Sequence, residues 1–245
     1  YELEVLKDLT PEVLQQGKRY IEDADIDIKL KQGIVEKLYI EVVCHSGKDQ
    51  AAAIIAGSHT HFVFAERNDE VVLDERQPGG ADEDDTDIQL SMRMVYDFAM
   101  TAPLDEISFI LKTKEYNMRA AELSIKGNYG HCLGKTMDRP MSHGIFGNSI
   151  FSHIISRTAS ACDARMGGAM IPVMSNSGSG NQGICATNPV AVYALENENT
   201  EEELIRALML SHLTAIYIKQ SLGKLSALCG CVVASIGSSC GITYL

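Results

Sequence analysis

Residues Ser160 to Pro189 read SACDARMGGAMIPVMSNSGSGNQGICATNP, and the rest of the chain is organised around this stretch. Its centre, Ser175 to Gly183, consists of nine small or amide residues with no aliphatic side chain among them. Such a run cannot bury itself by hydrophobicity. Its glycines reach backbone angles closed to other residues, and its Ser and Asn groups donate and accept hydrogen bonds at short range. Apolar segments flank it, Met170 to Met174 before and Val190 to Leu195 after, so a floppy linker is a poor description. A polar, glycine-rich loop pinned between buried elements can hold an anion or a small polar ligand with backbone N–H groups. An ordinary surface turn is the alternative that the loop alone leaves open.

Outward from the loop, the period is helical on both sides. Helices are expected over Ile88–Thr101, Leu104–Lys112, Tyr116–Lys126 and Ile145–Arg165. Thr200-Glu201-Glu202-Glu203 is a capping box, which starts a helix reaching about Leu222 with Leu204, Leu208, Ala215 and Tyr217 near one face. The run Leu225 to Leu245 is apolar enough to raise the question of a membrane span. Its three Cys, four Ser and three Gly instead suggest a helix packed closely on its neighbours.

Toward the N-terminus the pattern changes. Thr10-Pro11 starts a helix, with Thr as N-cap and Pro in the first turn. From Ile26 to Leu73 short alternating or β-branched runs are punctuated by Gly47-Lys48, Gly57-Ser58 and Asn68-Asp69, the pattern of antiparallel strands. Gln77 to Asp85 (QPGGADEDD) reads as a solvated linker, since its acidic spacing fits no calcium loop. The expected class is therefore α+β. A small antiparallel sheet domain spans 1–76, an acidic linker 77–86, and a mostly helical domain with the glycine-rich loop 87–245. Both ends lie inside structured patterns, so a piece truncated at both ends is expected.

With 245 residues, 45% hydrophobic and 22% charged, the composition is that of a globular protein. A net charge of -12 argues against nucleic acid and anionic membrane as partners. Seven cysteines form an odd set without a compact framework, and no segment reads as a signal peptide, so reduced thiols in a cytoplasm are expected. Self-association is left open.

Four features carry potential chemistry. The glycine-rich loop lacks the Lys-Ser/Thr of a Walker loop and the dinucleotide fingerprint's spacing, which favours a carboxylate or amino acid over a phosphate. Cys229-Gly230-Cys231 places two thiols about 200° apart if both are helical, so that one alone could face a site; core packing is the bland reading. Gly57-Ser58-His59-Thr60-His61 puts two imidazoles on one face of a strand, for metal, base or plain structure. Asp163-Ala164-Arg165 either caps its helix or positions a carboxylate through the Arg fork.

Asp163 to Gly168, Met174 to Gly183, and Cys229-Gly230-Cys231 followed by Ala234-Ser235-Ile236-Gly237 together resemble the serine dehydratase-like alpha-chain family. The nearest branch is that of the L-cysteine desulfidases, of the UPF0597 type. Gly57-Ser58-His59-Thr60 also fits this resemblance. What it implies is an oxygen-sensitive [4Fe–4S] lyase that eliminates the β-substituent of a small L-amino acid. L-cysteine would give pyruvate, ammonia and sulfide; L-serine would give pyruvate and ammonia.

On this resemblance Cys229 is the cluster ligand, with Cys231 second. Asn176, Ser177, Gly178, Ser179, Gly180, Asn181 and Gln182 are substrate-binding, joined by His59 and Thr60. The base stays unassigned among His59, Lys224 and a cysteine. The family's Gly-Cys-Thr-Glu-Pro and Cys-Asp-Gly motifs, which carry its other cluster cysteines, are absent from this sequence, and Cys162, Cys185 and Cys240 do not stand in those contexts. The expectation is that the full protein holds a cluster and that these 245 residues alone do not. A catalytically silent amino-acid-binding module and a redox thiol protein are the competing classes.

Overall fold

A computed structural model of the chain describes residues 9–23, 26–34, 36, 38–57, 61–76, 88–223 and 228–245. The chain divides into two compact units, Tyr1–Thr86 and Asp87–Leu245, and its class is α+β, an antiparallel sheet followed by a mostly helical region. The acidic run 77–86 lies outside the described residues.

In the first unit, α1 (Pro11–Asp23) opens at Thr10, whose hydroxyl accepts from the Val13 N–H at 3.3 Å. Four strands follow: β1 (Tyr39–Ser46), β2 (Asp49–Ala56), β3 (Phe62–Arg67) and β4 (Glu70–Asp74). They form an antiparallel meander in sequence order, with Val42 opposite Ala53 and Ile54 opposite Phe64. Asn68 and Asp69, both at positive φ, close the β3–β4 hairpin with the twist such turns require. Ile54, Val63 and Phe64 form the small core. Ile26–Leu30, expected as a strand, joins none. Its alternating apolar side chains find nothing to cover them, Ile28 and Leu30 being almost fully exposed, and alternation without burial makes no strand.

The second unit contains α2 (Met92–Thr101), α3 (Leu104–Ile107), a 3-10 turn (Ser108–Ile110), α4 (Leu111–Lys126), α5 (Leu133–Met137), α6 (Pro140–Phe146), α7 (Ile150–Met166), α8 (Gly180–Glu196), α9 (Glu201–Leu222) and α10 (Gly230–Tyr244). Two expectations shift. The helix placed from Ile145 begins at Ile150, because Ser149 forms a capping box with Ser152. The two helices placed over Leu104–Lys112 and Tyr116–Lys126 are α3, the 3-10 turn and α4 in near-continuous succession.

Helix α8 is the central element. It packs against α4, α7, α9 and α10, and twelve of its seventeen residues are buried. A helix covered on nearly every side reads as a core helix. Its apolar C-terminal half joins α2 and α9 in the main core through Val190, Ala194, Leu204 and Leu208. Helix α10 crosses α9 closely: a Cβ at Gly237 would lie 2.3 Å from the Ser211 carbonyl oxygen, and one at Gly241 2.7 Å from that of Ala207. The small residues of the C-terminal run thus serve close packing, and no described helix is long and apolar enough to cross a membrane.

Candidate functional site at the N-terminus of helix α8

The glycine-rich run divides in two. Asn176, Ser177, Gly178 and Ser179 make a tight turn in which the Asn176 and Ser179 backbones exchange hydrogen bonds of 3.1 and 3.0 Å. Ser177 (φ 47°) and Gly178 (φ 78°) both stand in the left-handed region, which a two-residue turn of this hand demands. Ser179 is then the N-cap of α8, its hydroxyl accepting from the Gln182 N–H at 3.3 Å. Gly180 to Gly183 are therefore the first helical turn rather than loop. Gly183 lets the chain pass: a Cβ there would lie 2.0 Å from the Met174 carbonyl oxygen.

The amide residues of the run face in different directions. Asn176 and Gln182 are buried, Asn181 is half-buried, and Ser177 and Gly178 are exposed. The Asn176 side-chain oxygen accepts from Gln182 Nε2 (2.7 Å) and from the Ser177 hydroxyl (2.9 Å). Its Nδ2 donates to the His212 carbonyl (3.1 Å) and meets His212 Nδ1 at 3.0 Å. On the other side of the ring, His212 Nε2 lies 2.9 Å from Thr187 Oγ1. Thr187 donates to the Gly183 carbonyl and accepts from Asn117 Nδ2. Asn117, on α4, also grips Met174 through both its N–H (2.8 Å) and its carbonyl (3.3 Å). A continuous buried network thus ties the turn to α4, α8 and α9. Burial holds His212 far below the usual imidazole range, at about 4, so the ring is neutral near pH 7.

Two further motifs arrive at the same helix end. Arg165, at the last turn of α7, donates to Asn181 Oδ1 at 3.2 Å, and a Cβ at Gly180 would meet the Arg165 side chain at 2.2 Å. Its neighbour Asp163 is buried and accepts from the His131 and Gly134 N–H groups, so it anchors the preceding loop. From the opposite side, a Cβ at Gly230 would lie 3.0 Å from Gln182 Oε1 and 3.6 Å from Ser179 Oγ. Cys229-Gly230 therefore sits directly on the start of α8.

Cys229 is exposed and is itself the N-cap of α10, so the wide helical divergence expected for Cys229 and Cys231 does not apply. Cys162 of α7 and Cys231 of α10 pack against the small cluster that contains Cys185 of α8, so three thiols gather where these helices meet, with the exposed Cys229 two positions before Cys231. The neighbouring Cys185 thiol pulls Cys162 down, helped by Arg165, while Cys162 and burial push Cys185 up. The Cys231 backbone N–H lowers Cys229, and desolvation raises Cys231. Cys240 packs against the main core instead.

A four-iron cluster needs thiolates spread around it. Among the described residues no three His, Cys, Asp or Glu side chains are arranged to hold a metal. Of the ligands expected for such a cluster, the described residues offer Cys229 as one exposed thiol beside the turn. His59, Thr60 and Lys224 lie outside the described residues.

Sequence reasoning passed over His212, Thr187 and Asn117. The available signal was Ser211-His212, polar residues that interrupt the apolar face of α9. Only the fold reveals what they hold.

The model of the serine dehydratase alpha chain family matches residues 1–245. A UPF0597 protein of Bacteroides fragilis is 63% identical over 245 residues, all of this chain and 57% of the relative. UPF0597 proteins of Porphyromonas gingivalis and Shewanella pealeana are 46% and 41% identical over 100% and 99% of the chain. The chain spans a little over half the length of these relatives. No solved structure gives a significant match. The chain belongs to the serine dehydratase alpha-chain family.

Proposed function

We propose that this chain supplies the amino-acid-binding part of a lyase that removes the β-substituent of a small L-amino acid, L-cysteine first and L-serine as the alternative. The observation that carries the reading is the convergence of Arg165, the Asn176–Ser179 turn and Cys229 at the N-terminus of α8.

That end suits a carboxylate. The first N–H groups of a helix have no intrahelical acceptor and carry the positive end of its dipole, and Gly180 and Asn181 present them here. Arg165 adds a guanidinium on one flank, and its planar fork favours a carboxylate over a point anion. With the carboxylate held there, the hydroxyls of Ser177 and Ser179 are within the reach of an amino group, and the β-substituent is directed toward the Cys229 side. Fixing three substituents of one carbon in this way sets the α-proton for removal. Loss of that proton and of the β-substituent leaves an aminoacrylate, which water converts to pyruvate and ammonia; sulfide is the third product from cysteine.

His212 is not the base, since both ring nitrogens are engaged inside the network. The iron–sulfur cluster is proposed for the longer protein, where Cys229 would contribute one ligand and the cluster would supply an electrophile for the leaving group.

The test is pyruvate and sulfide release by the full-length protein, reconstituted with iron and sulfide without oxygen. Activity on L-cysteine or L-serine should be lost in Cys229→Ala, and Arg165→Ala should raise KM by roughly ten- to a hundredfold. A cluster-loaded protein that binds either amino acid but forms no pyruvate would move the reading to a silent binding module.

A further inference from the structure

We infer that His212 is a positioning residue for the amino-acid site: as the neutral Nε2–H tautomer it locks Asn176, and so holds the Ser177–Ser179 turn in its ligand-receiving shape. The inference rests on the site proposed above.

The orientation of Asn176 follows from an atom that can only accept. The His212 carbonyl lies 3.1 Å from the amide nitrogen of Asn176, so that end must be the NH₂ group. The same NH₂ faces His212 Nδ1 at 3.0 Å, which must then be unprotonated. A neutral ring carries its proton on the other nitrogen, and Nε2 donates to Thr187 Oγ1. Thr187 in turn directs its hydroxyl proton to the Gly183 carbonyl at 2.8 Å. Every donor in this chain meets an acceptor in one arrangement only.

The consequence reaches the exposed turn. With its NH₂ held by His212, Asn176 must point its oxygen at Gln182 and Ser177. Ser177 is a non-glycine residue at φ 47°, a conformation that persists only where the surroundings enforce it. Its hydroxyl bond to Asn176 is that enforcement. The imidazole thus sets, through one amide, the shape of the turn that presents Ser177 and Ser179.

The experiment compares the full-length wild type with His212→Leu and His212→Asn. Asn can place an acceptor near the Nδ1 position, and Leu cannot. The 212 carbonyl persists in every variant, so the turn keeps one tether. Imidazole ¹⁵N spectra of the wild type at pH 7 should show a bare Nδ1 and a protonated Nε2; an imidazolium or the opposite tautomer overturns the inference, with no variant needed. In His212→Leu, KM for L-cysteine or L-serine should rise about tenfold or more with kcat changed far less, and His212→Asn should recover most of that loss. Equal KM in all three proteins overturns it. If the wild type neither binds nor converts either amino acid, the proposed function falls on its own. Hydrogen exchange at the Asn176 and Ser179 amides then decides the positioning claim: faster by tenfold or more in Leu but not in Asn supports it, and no difference overturns it.

Discussion

Helix α9 carries two regions of opposite character, and the contrast between them explains the molecule. Its first half holds Leu204, Ala207 and Leu208 in the apolar core with Val95, Ala99 and Val190. The next turn of the same face holds Ser211 and His212 in the polar seam with Ala186, Thr187 and Asn176. Both are fully buried. The core is held by area and packing, which accept any side chain of suitable volume at modest cost. The seam is held by donors and acceptors that match in a single arrangement, so it specifies a shape rather than adding much stability. The proposed site lies at the seam's edge, where shape matters.

The largest expected effect separates the two directly. Leu208→Ala leaves a cavity in the core and should cost about 3–4 kcal/mol in urea unfolding, with KM unchanged in the folded fraction. A matching loss of substrate affinity would mean that core and seam are not separable.

Acidification comes next, and it acts on the seam. His212 has its folded pKa lowered from 6.5 to about 4 by burial. As pH falls below about 6.5 the unfolded chain takes up the proton first. The stability tied to the neutral ring is therefore full above that pH and is lost progressively toward pH 4. The loss is on the order of 3 kcal/mol. His212→Leu should flatten this part of the pH–stability curve relative to wild type, and parallel curves would refute the assignment.

A smaller effect on stability but a larger one on function is expected for Gly183→Ala. The added methyl collides with the Met174 carbonyl oxygen, costing about 2 kcal/mol and displacing the turn. Calorimetric titration with L-cysteine or L-serine should show affinity falling by more than that cost alone predicts.

Smallest is Thr200→Ala, at the far end of α9. It removes a capping box in which the Thr200 hydroxyl accepts from the Glu203 N–H, and should cost about 1 kcal/mol with binding unaltered. It serves as the control in which neither region is touched.

The same contrast governs what could be read in advance. The Thr200–Glu203 box, the Thr10 cap, the Asn68-Asp69 turn and the apolar positions of α9 were legible because each depends on residues within a few positions of one another. So were the motifs at Asp163–Arg165, Ser175–Gly183 and Cys229–Cys231, as isolated signals. Their meeting at one helix end was not. Nor was the division of the glycine-rich run, in which Asn176 and Gln182 turn inward while Ser177 and Gly178 stay exposed. The sequence alone suggested all the amides as ligands of one kind.

What the sequence by itself determined is therefore the α+β class and most of the elements and their caps. What only the tertiary structure decided is which side chains of the glycine-rich run are buried in the frame and which stay exposed. The physical reason is range. Caps, turns and amphipathic faces are set by neighbours within one or two turns of chain. The bond between Asn176 and His212 spans 36 residues and exists only because α8 and α9 pack side by side.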